Sequence, residues 1–350
     1  MMNKIPVAVL GATGIVGQRF IQMLANHPWF EIAALVGSER SAGRTYGEAA
    51  NWVIAGDPPQ GINQMPVLPL DAEIPGRVAF SALPAEVARQ IEPRLAEAGV
   101  AVCSNASAFR LDPDVPVIIP EVNGDHIAML AEQKKNRGWK GLLVTSPNCT
   151  TTGIVMALKP LHQAFEIDRF MAVSFQAISG AGYPGVSFLD ASDNLIPFIQ
   201  GEEEKMESES RALLGKMQNG RRIDAGMVIS AQSNRAPVLH GHTICLSVGF
   251  KRKPSPQEAI EVLANYRGPE LAWDLPSAPA HPVIVRMEPD RPQPRRDRDA
   301  DNGMVCTVGR VRPCPMLDLR LVSVVHNAIR GAAGGSLLNA ELLVAGGYIQ

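Results

Sequence analysis

The amino-acid sequence predicts an α/β protein with a doubly wound parallel sheet, followed by a second, α+β domain built on a largely antiparallel sheet. Strand-like and helix-like segments alternate up to about residue 148, as they do in parallel sheets covered by helices. Beyond that point strand-like runs predominate and few helical patterns separate them, which favours antiparallel pairing. The length of 350 residues also exceeds what a single hydrophobic core usually fills.

The N-terminal half begins with a short buried strand, IPVAVL, at residues 5–10. The following run, GATGIVGQRFIQMLANHP, predicts a glycine turn and then a helix that ends near Pro28. Further strands are predicted for FEIAALVG, RVAFSALP and VAVCSNAS. A helix between the last two is predicted by the periodicity of EVARQIEPRLAEAG, which closes on a glycine.

The C-terminal half begins with a helix predicted for CTTTGIVMALKPLHQAF, residues 149–165. Helical patterns also lie near 202–216 and 256–266, and the charged, proline-rich stretch 289–303 is expected to be an exposed loop. Strands are predicted for RFMAVSFQAIS, GMVISAQSNRAPV, HTICLSVGFKR, HPVIVRME, MVCTVGRVR and LDLRLVSVVH. The last segment is helical and is expected to pack on the first domain. The expected domains are therefore 1–148, joined by about 327–350, and 149–326.

The composition excludes several classes of protein. A content of 46% hydrophobic and 19% charged residues is ordinary for a globular protein, and a net charge of −2 gives no basic surface for nucleic acid. No apolar stretch reaches the about 18 residues that a membrane helix needs, and the N-terminus lacks a signal-peptide pattern. The five cysteines are odd in number and form no C-x-x-C pair, which argues against disulfides and a metal site. We expect a cytoplasmic protein with reduced thiols.

A glycine motif follows the first predicted strand and opens a helix. Gly11, Gly14 and Gly17 form a G-x-x-G-x-x-G variant of the dinucleotide fingerprint, which lets the backbone approach a pyrophosphate at a helix N-terminus. A turn without a ligand is the alternative, but the strand–turn–helix context of a Rossmann-type fold favours nucleotide binding. The second strand ends in SERS, residues 38–41, where an arginine between two hydroxyls favours the 2′-phosphate of NADP over a free ribose.

Cys149 stands where the helix of residues 149–165 is predicted to begin, after Pro147 and Asn148. Unpaired N–H groups and the helix dipole at such a position lower the pKa of a thiol and could hold an oxyanion. The alternative is a small buried residue at a turn, since cysteine is often buried. From the residues alone, both interpretations remain open.

Several other side chains have the chemistry to act together with this cysteine. His240 and His242 flank a glycine in NRAPVLHGHT, and strand alternation puts both on one face, so it does not choose between them as the base. Arg235 could hold a carboxylate through two hydrogen bonds. Glu202 and Lys205 share one helical face, although a solvated helix start is the simpler explanation. Arg110, after SNASAF, follows a strand end where ligands of doubly wound sheets gather, although such an arginine is often only a surface charge.

As an ordered set, the motifs resemble the aspartate-β-semialdehyde dehydrogenase family, specifically its archaeal and fungal type. They run from near the start of the chain to near its end, and several are long. The matching segments are GATGIVGQRF, SERSAGR, SALP, SNASAFR, IIPEVN, SPNCTTTG, FQAISGAGYPG, GEEEKMESE, NRAPVLHGHT, NGMVCTVGR and HNAIRGAAGG.

The resemblance implies a role for each matching position. Cys149 would be the nucleophile that forms an acyl-thioester, His242 the acid/base, and Gln176 a residue that orients the substrate. Arg235 would bind the substrate carboxylate and Glu202 its amino group. The other implied substrate contacts, mostly to phosphate, are Lys205, Arg110, Asn105 and Asn148. The implied cofactor contacts are Gly11, Thr13, Gly14, Ile15, Val16, Gly17, Ser38, Arg40, Ser41, Ser81, Ala82, Leu83, Ser179, Gly180, Gly182 and Asn327.

The resemblance also implies the activity. The family reduces L-aspartyl-4-phosphate to L-aspartate 4-semialdehyde with NADPH and releases phosphate, in the biosynthesis of lysine, threonine, methionine and isoleucine. The first domain would bind NADP, and the second would carry catalysis and dimerisation in a homodimer or homotetramer. Alternatives are a malonyl-CoA reductase of the same branch, an N-acetyl-glutamyl-phosphate reductase and a non-catalytic NADP-binding regulator. Glu202 favours aspartyl phosphate, because malonyl-CoA has no amino group for it to bind.

The chain departs from the family pattern at three positions. RAPV replaces the usual RVPV, His240 replaces a residue that is commonly polar or acidic, and GHTI replaces GHTE. Ile244 thus removes a carboxylate near the histidine, which bears on substrate selection. None of these departures changes Cys149 or His242.

Overall fold

The computed structural model describes residues 3–349, and the N-terminal half of the chain forms a six-stranded parallel sheet in the order β3-β2-β1-β4-β5-β6. The strand order reverses between β1 and β4, which is where doubly wound sheets bind their ligands. Its strands are β1 (Ile5–Leu10), β2 (Phe30–Val36), β3 (Val67–Leu68), β4 (Val78–Ser81), β5 (Ala101–Ser104) and β6 (Leu142–Thr145). Its helices are α1 (Ile15–Leu24), α2 (Tyr46–Ala49), α3 (Ala85–Glu97), α4 (Pro120–Asn123) and α5 (Met129–Arg137).

The C-terminal half forms a second six-stranded sheet, in the order β10-β7-β11-β14-β13-β12, and a small hairpin. The strands are β7 (Ile167–Gln176), β8 (Lys216–Gln218), β9 (Arg221–Ile223), β10 (Val228–Arg235), β11 (His242–Phe250), β12 (Val283–Arg286), β13 (Cys306–Pro313) and β14 (Leu319–Val325). The helices are α6 (Cys149–Phe165), α7 (Phe188–Ala191), α8 (Glu202–Leu213), α9 (Pro256–Ala264), α10 (Pro294–Asp297) and α11 (Gly334–Ala345).

The predicted fold class is confirmed, with one refinement in the second sheet. Its interior pairings, β7 with β11, β11 with β14 and β14 with β13, are antiparallel. Both edge strands pair in parallel, β10 with β7 and β12 with β13, so the sheet is mixed. Among the residues that the structure describes, no helix is long and apolar enough to cross a membrane.

Helix α6 begins at Cys149, as the sequence predicts, because the residue before it is an effective cap. The Asn148 Oδ1 atom accepts the N–H groups of Thr150 and Thr151, two donors that have no partner within the helix. Ile154, Leu158 and other apolar residues of the helix are buried in the core of the second sheet. This packing fixes the helix, so its first residue is held at a defined point between the two sheets.

The last helix, α11, packs on the first sheet. Leu337, Leu338 and Leu342 belong to the same buried cluster as Val9 of β1 and Phe80 of β4. The helix starts later than predicted, because a π-helical turn (Ile329–Ala333) precedes it. The predicted end of this segment, residue 350, lies outside the described residues.

The expectation of an exposed loop at 289–303 is wrong for part of the segment. It contains α10 and a 3-10 turn, Ala300–Gly303, and Asp297 is buried. The Asp297 carboxylate accepts hydrogen bonds from the buried Arg291 (Nε, 2.7 Å) and from the backbone N–H of Gln293 (2.6 Å). Arg298 donates to the backbone oxygen of His240 at 3.0 Å, so the segment packs beside the start of β11.

Candidate active site

Cys149 and His242 meet at the junction of α6 and β11. The Cys149 Sγ atom lies 3.1 Å from Nε2 of His242, whose side chain is fully buried. The Nδ1 atom of the same ring accepts the backbone N–H of Ala177 at 3.0 Å. A neutral imidazole that accepts at Nδ1 carries its proton on Nε2, so the ring donates toward the sulfur.

Burial determines the protonation of this pair. It raises the pKa of the Cys149 thiol to about 12, with the Glu202 carboxylate as the second cause. Burial, and then the Arg235 guanidinium, lowers the pKa of His242 to about 3. The sequence predicts a lowered thiol pKa from the helix N-terminus, but desolvation outweighs that effect here. Without substrate, the site therefore holds a neutral thiol and a neutral imidazole at pH 7.

Glu202, at the start of α8, gathers several of the predicted substrate residues. Its two carboxylate oxygens accept from Nδ2 of Asn148 at 3.0 and 2.9 Å. Lys205 donates to Oε1 at 3.0 Å, and Gln176 donates to Oε2 at 3.3 Å. The simple explanation of a solvated helix start is therefore wrong for Glu202, which is buried.

Arg235 reaches the same place from the end of β10. Its Nη1 atom donates to the backbone oxygen of Ala177 at 2.8 Å, so one residue, Ala177, positions both Arg235 and His242. Gly180 leaves the space that these side chains need. A Cβ at that position would lie 2.9 Å from Nη1 of Arg235 and 3.1 Å from Cε1 of His242.

Arg110 lines the same cavity as the cysteine and is held there by two acceptors. Its Nη1 donates to Oε1 of Glu209 at 2.9 Å, and its Nη2 donates to the backbone oxygen of Asn105 at 2.6 Å. Nε of Arg110 and Nδ2 of Asn105 are buried donors without a hydrogen-bond partner within the described part of the chain. Sequence reasoning did not single out Glu209, although it stands in the quoted acidic run.

A cavity of about 470 Å³ opens onto the cysteine. Gly11 has φ +73°, and a Cβ at Gly17 would lie 2.3 Å from the Gly11 oxygen, so this turn requires glycine. The close approach and the N-terminus of α1 suit a pyrophosphate, so the residues present fit a dinucleotide. The cavity is lined by Gly14, Ile15, Val16, Gly17, Ala82, Pro84, Asn105, Arg110, Pro147, Asn148, Cys149, Ser179, Gly180, Gly182, Tyr183, Asn327, Ala328, Gly331 and Ala332.

The remaining predicted cofactor residues are not among those that line this cavity. Ser38 and Arg40 are exposed on the turn after β2, which is closed by hydrogen bonds from the N–H groups of Ser41 (2.8 Å) and Ala42 (3.0 Å) to the Ser38 oxygen. The others do not line the cavity and belong to the glycine turn or to the end of β4 and the residues after it; they are Gly11, Thr13, Ser81 and Leu83.

The structure distinguishes His240 from His242, which the sequence pattern alone does not. His240 precedes β11, and Gly241 between them has φ +95°, so strand alternation does not apply to the pair. The His240 Nδ1 atom lies 2.8 Å from Oγ of Ser179. Asn327 donates to the same hydroxyl at 2.9 Å and accepts the N–H of Gly241 at 2.9 Å. His240 thus contacts the cavity wall and not the cysteine.

The departure at Ile244 falls outside the cavity. Its side chain is fully buried beneath α6, where a Cβ on Gly153 would lie 2.7 Å from its Cδ1 atom. The loss of a carboxylate there changes the core of the second sheet and not the cavity wall.

Comparisons with known proteins agree with this arrangement. Residues 6–130 match the family described as "Semialdehyde dehydrogenase, NAD binding domain", and residues 158–330 match "Semialdehyde dehydrogenase, dimerisation domain". The aspartate-semialdehyde dehydrogenase of Archaeoglobus fulgidus is 50% identical over 97% of both chains, and that of Schizosaccharomyces pombe is 45% identical over 98% of this chain and 99% of its own. A malonyl CoA reductase (NADP) of Metallosphaera sedula is 38% identical, over 100% of this chain and 99% of its own.

A solved structure is similar throughout. Aspartate semialdehyde dehydrogenase with NADP from Candida albicans superposes with a TM-score of 0.92 at 41% identity, covering 99% of this chain and 100% of that one. The relatives match over nearly their whole length, in both halves of the fold. The chain therefore belongs to the semialdehyde dehydrogenase family, in the branch of the archaeal and fungal aspartate-semialdehyde dehydrogenases.

Proposed function

We propose that this protein is an NADP-dependent aspartate-semialdehyde dehydrogenase that reduces L-aspartyl-4-phosphate to L-aspartate 4-semialdehyde and phosphate. One observation carries the proposal: the Cys149 thiol lies 3.1 Å from the buried His242 imidazole and lines a cavity that is also lined by residues of the glycine turn. Family membership and relatives at 41–50% identity that carry this name support it.

In the proposed reaction, Cys149 attacks the acyl carbon of the substrate. The carbon–sulfur bond forms as the bond to the phosphate oxygen breaks, so phosphate leaves and a thioester remains on the enzyme. NADPH, when bound, supplies the hydride that reduces the acyl carbon to the aldehyde. The carbon–sulfur bond then breaks, which releases the aldehyde and returns Cys149 to its thiol form. His242 stabilises negative charge on the sulfur through its Nε2–H. It would act as acid and base at the reacting atoms only after Nδ1 gives up the hydrogen bond that it accepts from Ala177.

The substrate is proposed to lie between the two groups of polar residues. Arg235 would bind its carboxylate and Glu202 its amino group, with Gln176 orienting the acyl group at the thiol. The phosphate would lie near Arg110 and Lys205, with Asn148 and Asn105 completing the site. The unpartnered donors on Arg110 and Asn105 support this choice, because buried N–H groups without a partner are costly until a ligand accepts from them.

The cofactor is proposed to bind with its pyrophosphate at the glycine turn, its adenosine 2′-phosphate at the turn after β2 and its nicotinamide near the cysteine. The relative from Candida albicans, solved with NADP, supports the choice of cofactor. The pyrophosphate contacts would be Gly11, Thr13, Gly14, Ile15, Val16 and Gly17. Those of the 2′-phosphate would be Ser38, Arg40 and Ser41. The rest of the cofactor would lie against Ser81, Ala82, Leu83, Ser179, Gly180, Gly182 and Asn327.

The domain roles and the assembly follow the same proposal. Residues 1–148, with about 327–350, would bind NADP, and residues 149–326 would carry catalysis and dimerisation. The exposed apolar side chains of Met171, Val228, Phe188, Leu189 and Phe198 support a subunit interface, which would form a homodimer or a pair of dimers. The reaction would take place in the cytoplasm, in the synthesis of lysine, threonine, methionine and isoleucine.

A parallel assay tests the proposal against malonyl-CoA reduction. Phosphate-dependent reduction of NADP with aspartate semialdehyde is expected, together with no oxidation of NADPH by malonyl-CoA. The reverse pattern would identify the chain as a malonyl-CoA reductase. N-acetyl-glutamate semialdehyde as the better substrate would favour the N-acetyl-glutamyl-phosphate reductase alternative. Cofactor binding without turnover of any of these substrates would leave only the regulatory alternative.

A further inference from the structure

Glu209 is a buried carboxylate of α8 that has no role in the proposed reaction. Only 2% of it is exposed, and its two oxygens bind different parts of the site. Oε1 accepts from Nη1 of Arg110 at 2.9 Å, and Oε2 accepts the backbone N–H of Asn148 at 2.6 Å. One side chain therefore links the predicted phosphate-binding arginine to the residue that directly precedes Cys149.

This link requires a carboxylate. Both groups that face Glu209 are hydrogen-bond donors, and an ionised carboxylate can accept from both. A glutamine of the same length has one oxygen and one NH₂ group, so its NH₂ would face one of the two donors. The buried donor that lost its acceptor would then be free to move away.

The hydrogen bond to Glu209 also determines which N–H groups of the Arg110 guanidinium remain available to a ligand. Nη1 is engaged by Glu209 and Nη2 by the Asn105 oxygen, while Nε is buried without a partner in the described structure. Arg110, Asn105, Asn148 and Cys149 all line the same cavity. The guanidinium is thus held in one orientation. Its distance from the thiol is set by the hydrogen bonds that link Arg110 through Glu209 to Asn148.

We propose that Glu209 is a positioning residue that holds the phosphate-binding Arg110 in register with the nucleophile Cys149. This inference rests on the proposed function, because it assigns Arg110 to the phosphate. Glu209 acts at the step in which phosphate attacks the thioester, and at the reverse of that step, in which Cys149 displaces phosphate from the acyl carbon. Only this step needs Arg110 and Cys149 to be in place together.

The neighbouring glutamates of α8 provide a matched control. Glu207 accepts the N–H of Ala231 at 3.2 Å, and Glu203 accepts that of Ser233 at 2.9 Å, so both bind the edge strand β10 instead of the site. Glu207→Gln therefore changes the same chemical group on the same helix without touching Arg110. It reports what loss of a carboxylate on α8 does to the fold alone.

The test separates the phosphate step from the step before it. With NADP and aspartate semialdehyde but no phosphate, each active site is expected to release one NADPH as its thioester forms. Glu209→Gln is expected to keep this burst within about threefold of wild type and to raise the KM for phosphate about tenfold or more, since a charge-assisted hydrogen bond is lost. Glu207→Gln is expected to change neither quantity, and Glu209→Asp, which keeps two acceptors, to fall between wild type and Glu209→Gln.

A double mutant shows whether Glu209 acts through Arg110. On an Arg110→Gln background, Glu209→Gln is expected to add no further increase in the KM for phosphate. An independent, multiplicative increase would overturn the proposal, as would an unchanged KM in Glu209→Gln or Glu209→Asp, or an equal increase in Glu207→Gln. Wild-type enzyme that turns over without any need for phosphate would instead contradict the proposed function itself.

Discussion

Nε2 of His242 lies 3.1 Å from Sγ of Cys149, and the direction of this hydrogen bond is set from the far side of the ring. Because Nδ1 accepts the N–H of Ala177, the neutral imidazole presents a proton to the sulfur instead of a lone pair. To take a proton from the thiol, the ring would first have to give up its bond to Ala177. The resting pair is therefore arranged to stabilise a thiolate once it forms, and not to create one.

This geometry predicts the tautomer of His242. Since burial lowers the pKa of His242 to about 3, the ring is expected to stay neutral, with its proton on Nε2, between pH 5 and pH 9 in the ligand-free enzyme. Nitrogen-15 NMR of histidine-labelled protein, with His242→Gln for assignment, measures this directly. A doubly protonated ring at pH 6, or a proton on Nδ1, would contradict the arrangement.

The raised thiol pKa predicts how Cys149 reacts with iodoacetamide. With a pKa of about 12, the thiolate fraction rises about tenfold per pH unit from pH 7 to pH 9.5, so the alkylation rate should climb without a plateau. Glu202→Gln removes a charge that raises this pKa, so alkylation at pH 8 should become faster while turnover falls. The measurement uses a Cys245→Ser background, because Cys245 is exposed and would also react. A plateau near pH 8.5 would be inconsistent with a thiol pKa raised to about 12.

Arg40 is expected to determine the preference for NADP. Arg40→Gln should raise the Kd for NADP about tenfold or more, since it removes charge-assisted hydrogen bonds to a phosphate, and should leave the Kd for NAD unchanged. Isothermal titration of both cofactors measures the difference. Arg44→Gln is the control, because Arg44 is an exposed arginine of the same turn region that bonds to the backbone oxygen of Glu48. Equal losses for NADP and NAD would exclude a 2′-phosphate contact.

Buried histidines predict that the protein loses stability in mild acid. Burial lowers the pKa of His126 and His240 to about 4, and of His242 and His326 to about 3, below the about 6.5 of an unfolded chain. Between about pH 6.5 and pH 4 the unfolded chain thus binds more protons than the native one. The free energy of unfolding should therefore fall as the pH drops from 7 to 5.

Urea unfolding at several pH values measures this dependence. Each of the fully buried histidines can contribute up to about 1.4 kcal/mol per pH unit below its unfolded pKa, and the half-buried His240 contributes less because solvent screens its charge. His126→Gln, outside the catalytic pair, should make the curve shallower by removing one such group. Stability that is constant or rises between pH 7 and pH 5 would refute the assignment of these rings as neutral.

The fold was predictable where periodicity and capping agree. Helix α6 starts at Cys149 because Asn148 caps it, and strand β7, which follows it, alternates between buried and more exposed residues over much of its length. Several elements are absent from the prediction. The two residues of β3 are too few to show a period, and β6 and α5 lie in segments for which no element is predicted. The prediction of an exposed loop at 289–303 is wrong because the charge of Asp297 indicates a side chain exposed to solvent. The burial of Asp297 depends instead on its hydrogen bonds with Arg291 and on a turn that the local sequence does not indicate.

The site was predictable mainly through its motifs. Chemistry alone left His240 and His242 equivalent, and the positive φ of Gly241, which separates them, is invisible in a strand pattern. Glu209 was missed because its partners are far away in sequence. Arg110 and Asn148 meet it only when the two sheets are assembled, and an acidic run on a helix carries no sign of which carboxylate is buried.

The apolar cluster that joins Val9 and Phe80 to Leu337 and Leu342 has a consequence for biosynthesis of the chain. The first sheet is translated before the second, but α11, which covers part of it, is translated only after the whole of the second sheet. Until then, one apolar face of a nearly complete nucleotide-binding fold stays exposed while the second half of the chain is made. Packing of the N-terminal half is thus completed only after α11 has been translated.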